Sequence, residues 1–238
     1  MQANDGNRTM LRPLTLAAAV VVLGVAGLCV WWLFGNRRDE SAAKRRLIEL
    51  GALVAMDADG RHVGTVTLST VSDLSKIREA LQIVATLRQV KAIDLNRAAI
   101  DNEDLRAIGG CSSLVSLSLK STQIDDDGLR TIAGLGRLES LHLNDTAISD
   151  AGLPQLARLT ELKLLDLSGT AVAVDLSPLC RLEHLEWLVL GKLTLEDGAL
   201  KPLESAPALR RLTLRDSTYS DSALRALQNA RPTLTIDR

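Results

Sequence analysis

Aromatic residues are scarce in this chain: five among 238, with Trp31, Trp32 and Phe34 close together and only Trp187 and Tyr219 further on. A sugar-binding face built on stacked rings has little to draw on. Cysteine and histidine occur three times each. Cys29 lies in an apolar run, Cys111 takes a position filled elsewhere by leucine, and Cys180 follows far along the chain, so no disulfide framework is indicated. His62, His142 and His184 have no acidic or thiol neighbour at catalytic or zinc-ligand spacing. A phosphate-cradling glycine loop and a nucleophile elbow are also missing. These absences predict a chain without catalysis, cofactor or metal. A net charge of −1 leaves no basic surface for binding nucleic acid by bulk electrostatics.

What is present is leucine, 46 of the 238 residues. With 46% apolar and 24% charged residues the chain is neither disordered nor collagen-like, and its length suits one or two domains. From Pro13 to Asn36 no residue is charged, and the 21 positions from Leu14 to Phe34 would span about 31 Å as a helix, the thickness of a bilayer core. Trp31, Trp32 and Phe34 at one end, followed by Arg37 and Arg38, fit a membrane interface. The run is too long, and ends in the wrong residues, for a cleaved signal peptide. Five basic residues after it (Arg37, Arg38, Lys44, Arg45, Arg46) against two before it (Arg8, Arg12) predict a cytoplasmic C-terminal body.

An internal repeat emerges when the chain is cut at Val90, Leu114, Leu138, Leu162, Leu185 and Leu209, giving intervals of 24, 24, 24, 23 and 24 residues. Positions 4 and 6 of each copy are apolar at strand spacing: Ile93 and Leu95, Leu117 and Leu119, Leu141 and Leu143, Leu165 and Leu167, Leu188 and Leu190, Leu212 and Leu214. Further on the spacing becomes three, as in Leu129, Ile132 and Leu135, the sign of one helical face. Position 13 holds Asn102, Asp126, Asp150, Asp197 and Asp221, read as helix caps, and position 9 holds Thr122, Thr146, Thr170 and Ser217, read as turn hydroxyls. The copy starting at Leu162 breaks the acidic column, is one residue shorter and carries Pro178.

These residues resemble the leucine-rich repeat family in the form L-x-x-L-x-L-x-x-T-x-I-x-D-x-G-L-x-x-L-x-x-L, over about residues 63 to 238. Together with the apolar run and LGALVAMDADGRHVGTVTL, the chain is similar to short membrane-anchored leucine-rich repeat proteins of planctomycete-type bacteria. The resemblance implies an α/β solenoid with parallel strands on a concave face and short helices on a convex one. The expected organisation is a tail (1–13), a transmembrane helix (14–34), a basic juxtamembrane helix or linker (35–51), a capping hairpin with a first atypical repeat (52–89), and the repeats (90–238). Asp57-Ala58-Asp59-Gly60 reads as the hairpin turn, and Asp125-Asp126-Asp127-Gly128 falls at a helix start; neither has the ligand series of a calcium loop.

Positions 3, 5 and 7 of each strand point away from the leucine interior. Along the arc they run from small and polar to apolar and then basic. Leu164, Trp187 and Val189, flanked by Arg210, Arg211 and Arg215, have the makeup of a protein-binding patch, an apolar anchor with an arginine rim. The expected function is a membrane-anchored scaffold binding a protein or peptide, attached to the bilayer through Leu14 to Phe34. Two alternatives stay open: an adaptor delivering substrates to a separate enzyme, and an extracytoplasmic binder of cell-wall glycan or peptide.

Overall fold

The computed structural model describes residues 40–238. The expected membrane helix, Leu14 to Phe34, lies outside the described residues; among those described, no helix is long and apolar enough to cross a membrane. The chain divides into Met1–Ala42 and a body, Ala43–Arg238.

The body opens with helical residues 43–49 (α1), whose Leu47 is buried while Ile48 is exposed. A hairpin follows, β1 (Leu53–Met56) antiparallel to β2 (Val63–Thr67). Gly60 supplies the left-handed turn residue (φ 64°), and the Asp57 carboxylate accepts the N–H groups of Arg61 and His62 at 2.9 and 3.2 Å. After helix α2 (Leu74–Thr86) come seven strands: β3 (Ala92–Asp94), β4 (Ser116–Ser118), β5 (Ser140–His142), β6 (Leu164–Asp166), β7 (Trp187–Val189), β8 (Arg211–Thr213) and β9 (Thr235–Asp237). All pair in parallel from β2 onward, in sequence order, within one nine-stranded sheet. Between them lie short helices α3 (Asn102–Leu105), α4 (Asp126–Ile132), α5 (Leu153–Leu156) and α6 (Asp221–Ala230); 3₁₀ turns replace them at Ser177–Arg181 and Lys201–Ser205. Pro178 and Pro202 stand in the first turn of each, where a missing N–H costs nothing.

The interior is the leucine column that the periodicity marks. Leu117, Leu141, Leu165, Leu188 and Leu212 at position 4 are fully buried, as are Leu119, Leu143, Leu167 and Leu190 at position 6. All belong to one buried cluster that runs from coil to coil, so truncating one costs about 2–5 kcal/mol.

Each strand is left through a residue in the left-handed region. Position 8 has φ between 55° and 65° in six coils: Arg97, Ser121, Asp145, Gly169, Lys192 and Asp216. Only one is glycine, so at the other five a strained backbone is held by its surroundings. The N–H of this residue continues the parallel ladder, as from Ser121 to the Asn144 carbonyl at 2.9 Å and from Lys192 to that of Arg215 at 2.9 Å. Next to it, the hydroxyls of Thr122, Thr146 and Thr170 donate to the position 6 carbonyls at 2.7, 2.5 and 2.6 Å. Ser217 departs from this pattern and bonds the previous coil instead, donating to the Leu190 carbonyl at 2.6 Å.

The acidic column at position 13 has a different role from the cap expected of it. The caps are one residue earlier: Asp101, Asp125, Ser149 and Ser220 accept from N–H groups of the turn that follows. At Asn102, Asp126 and Asp150 the position 13 residue is already helical and its side chain reaches the next coil, whereas Asp197 lies in a turn. Asn102 exchanges two bonds with Asp125, Asp126 accepts the Ser149 N–H (2.8 Å) and hydroxyl (2.6 Å), and the Asp150 carboxylate takes the N–H groups of Ala173, Val174 and Asp175. The glycine of the repeat motif makes room for this. A Cβ on Gly128 would come within 2.5 Å of Asn102 Oδ1, and one on Gly152 would collide with Asp126 Oδ1. Val174 takes the acidic position in the short copy and is exposed.

At the far end Arg231 donates to the carbonyls of Leu203, Ala206 and Leu209. It satisfies the end of a 3₁₀ turn that has no helix continuation. Replacing Asp126 by alanine removes two bonds between coils and should lower unfolding free energy in urea by about 1–2 kcal/mol. Asp127→Ala, which removes only an exposed pair with Arg130, should stay within about 0.5 kcal/mol.

Candidate functional site

Register alone assembles the candidate surface. Leu164 pairs with Trp187 and Trp187 with Arg211 across β6, β7 and β8; Asp166, Val189 and Thr213 form the parallel row. Adjacent strands lie about 4.8 Å apart, so Leu164, Trp187 and Val189 share one half-exposed apolar area. The Trp187 ring N–H donates to Thr213 Oγ1 at 3.2 Å, and the Arg211 guanidinium stands 5.0 Å from the ring centroid. That is a cation–π contact, and Asp237 at 3.8 Å from Arg211 Nε helps to hold the arginine there. Arg215 is at position 7, beyond the end of β8, beside Gly191; a Cβ on Gly191 would stand 3.1 Å from both the Arg215 carbonyl and Ser168 Oγ. Arg210 is at position 2, on the rim, where its N–H bonds the Glu186 carbonyl. Arg210 and Arg215 are exposed, and neither pairs with a carboxylate among the described residues.

The first half of the same face is internally bonded. Asp94 accepts the Ser69 hydroxyl and the Asn96 N–H, and Asn96 Oδ1 accepts the Ser118 hydroxyl at 2.5 Å and the Lys120 N–H at 3.2 Å. Asp94, Asn96 and Ser118 are thus committed to one another and to the backbone around them. Arg210 and Arg215 have no such commitment among the described residues.

One expectation is corrected at His142. Sequence spacing gives it no acidic neighbour, yet the register of β5 with β6 sets it opposite Asp166, with Nδ1 3.9 Å from Oδ2. Nε2 faces Ser140 Oγ at 3.3 Å. Spacing along the chain misses the pair because the partner is one repeat away; a 24-residue offset is the signal that reveals it. Burial pushes the Asp166 carboxyl upward, but the imidazole beside it and the Ser168 hydroxyl and N–H outweigh burial and hold it below the usual carboxylate range. Among the described residues no group of three or more His, Cys, Asp or Glu could hold a metal ion. The thiols of Cys111 and Cys180 are raised above their ordinary value by burial.

A family model described as a leucine-rich repeat matches residues 110–133. Among solved structures, the chain is similar to a leucine-rich repeat protein of Leptospira interrogans: 20% identity, TM-score 0.52, covering 68% of this chain and 50% of that one. An internalin of Listeria monocytogenes is 20% identical with a TM-score of 0.42, over 71% of this chain and 58% of its own. The chain thus spans about half the length of the Leptospira protein. No curated protein is similar at a significant level. The fold is that of a leucine-rich repeat protein.

Asp166 contributes a pH dependence whose sign is fixed. Its folded-state pKa is depressed, so the stabilisation is present above the unfolded value near 4 and disappears as pH falls through the depressed folded value. The stability gap between the protein and Asp166→Asn, measured by urea unfolding, should be full at pH 7 and narrow progressively as pH falls below about 4.

Proposed function

We propose that the chain is a membrane-anchored interaction scaffold that grips a protein or peptide on its open sheet face, across β6 to β8. One observation carries the reading: on a face where Asp94, Asn96 and Ser118 bond one another, Leu164, Trp187 and Val189 stay half-exposed beside Arg210, Arg211 and Arg215. An apolar anchor centred on tryptophan and edged by arginine is the composition that concentrates binding energy at interfaces. Exposed cations at Arg210 and Arg215 favour a partner segment that is acidic or mixed in charge. The tether is the run Leu14 to Phe34, and the basic count behind it puts the body in the cytoplasm. The resemblance of the sequence to short anchored repeat proteins of planctomycete-type bacteria would imply the same arrangement.

Crosslinking in native membranes tests this, with a reporter fused at Arg238 to mark the side of the body. The expected result is a partner captured on the cytoplasmic side and lost in Trp187→Ala, with affinity down by about 2 kcal/mol or more and little change in thermal midpoint. Ser116→Ala, in the self-bonded half, should capture normally. Equal capture by Trp187→Ala would discard the site.

A further inference from the structure

Ser140, His142 and Asp166 meet on the open face although they belong to no shared sequence motif. We propose that Ser140 is an activated nucleophile, with His142 as its general base and Asp166 as the positioning residue, and that it is acylated by esters that carry a good leaving group.

The three side chains stand in the order this chemistry needs. Ser140 Oγ lies 3.3 Å from His142 Nε2, and Nδ1 on the other side of the ring lies 3.9 Å from Asp166 Oδ2. The Ser168 N–H and hydroxyl both bond Asp166 Oδ1, at 2.9 and 2.7 Å, which leaves Oδ2 for the imidazole. A carboxylate at Nδ1 favours the tautomer with its proton there, so Nε2 is free to accept the serine proton. The side chains of His142 and Asp166 are 36% and 17% exposed, so the ring is reachable while the acid is sheltered. The contact across 3.9 Å needs a small rotation to tighten, as such contacts do when a ligand arrives.

The neighbouring coil supplies a comparison. Ser116 is in register with Ser140, but Ser118 stands where His142 does, so two serines share one backbone setting and only one has a base. Leu164 pairs with Ser140 on the opposite side, and Trp187 lies beyond it. Together they form an apolar shelf for an acyl chain.

The surroundings also restrict the substrate. The Ser140 N–H is bonded to the Val115 carbonyl at 3.0 Å and the Leu164 N–H to that of Glu139 at 2.9 Å. Strand pairing thus uses the amides that would otherwise steady an oxyanion, and losing such a donor costs about 10²–10³ in rate. Amides and alkyl esters are excluded on that ground. An aryl ester or thioester departs with less help. In the step proposed, Oγ bonds the acyl carbon, its proton passes to Nε2, and the bond to the leaving group breaks. The imidazolium then protonates the departing phenolate or thiolate, giving acyl-Ser140 and a neutral phenol or thiol. Acyl-Ser140 is itself an alkyl ester, so for want of the same donors it is held rather than hydrolysed, and one equivalent of leaving group is released per chain.

The test is labelling of the full chain with an alkyl fluorophosphonate, where Oγ displaces fluoride, read by peptide mass spectrometry as the ratio of Ser140 to Ser116. The expected ratio is at least about tenfold, as a general base contributes 10²–10⁴. His142→Gln should bring it to parity, and Asp166→Asn should lower it several-fold, with Ser116 labelling and the circular dichroism spectrum unchanged in both. A second arm with p-nitrophenyl butyrate should release one nitrophenolate per chain in a burst that Ser140→Ala abolishes. A ratio near one, or a ratio that His142→Gln leaves unchanged, overturns the proposal.

Discussion

No coil of this protein can bury its own leucines, and every other feature follows from that. A strand of three residues and a helix of one or two turns are each too short to be stable in water. Their apolar side chains disappear only when another coil covers them, which is why Leu117, Leu141, Leu165, Leu188 and Leu212 form one uninterrupted buried column. Two further rows of bonds fix how one coil sits on the next: the backbone ladder that runs from the strand into the left-handed residue at position 8, and the side-chain row from Asn102 to Asp126 to Asp150. The strained backbone at Arg97, Ser121, Asp145, Lys192 and Asp216 persists because stacking overdetermines it.

The same stacking makes the surface. Because the sheet keeps its register from β2 to β9, residues about 24 positions apart become touching neighbours, and a chain with few aromatics places Trp187 between a leucine and an arginine. That register is also what joins His142 to Asp166. Adjacency here is decided by repeat length.

The repeat period, the parallel order and the buried columns were legible in the sequence, because apolar spacing of two and then three is a direct trace of burial. That Leu164, Trp187 and Val189 leave the interior was legible for the same reason, since alternation tells which side chains face outward. Other features were hidden. Position 8 carries arginine, serine, aspartate, glycine and lysine in turn, so its left-handed backbone leaves little trace in residue type. The position 13 acids look like caps because they stand beside the caps; only the path of the chain shows them reaching the following coil. The D-x-G signature is intelligible once Gly152 is seen under the carboxylate of Asp126. The hydroxyl column carries an exception at Ser217, which bonds backward to Leu190.

Hydrogen exchange on Leu165→Ala tests the dependence between coils most directly. If burial is shared between neighbours, amide protection falls in β5 and β7 as well as in β6, by similar free energies of about 2–5 kcal/mol. A loss confined to the mutated coil, with Ser140–His142 and Trp187–Val189 as protected as before, would contradict the account.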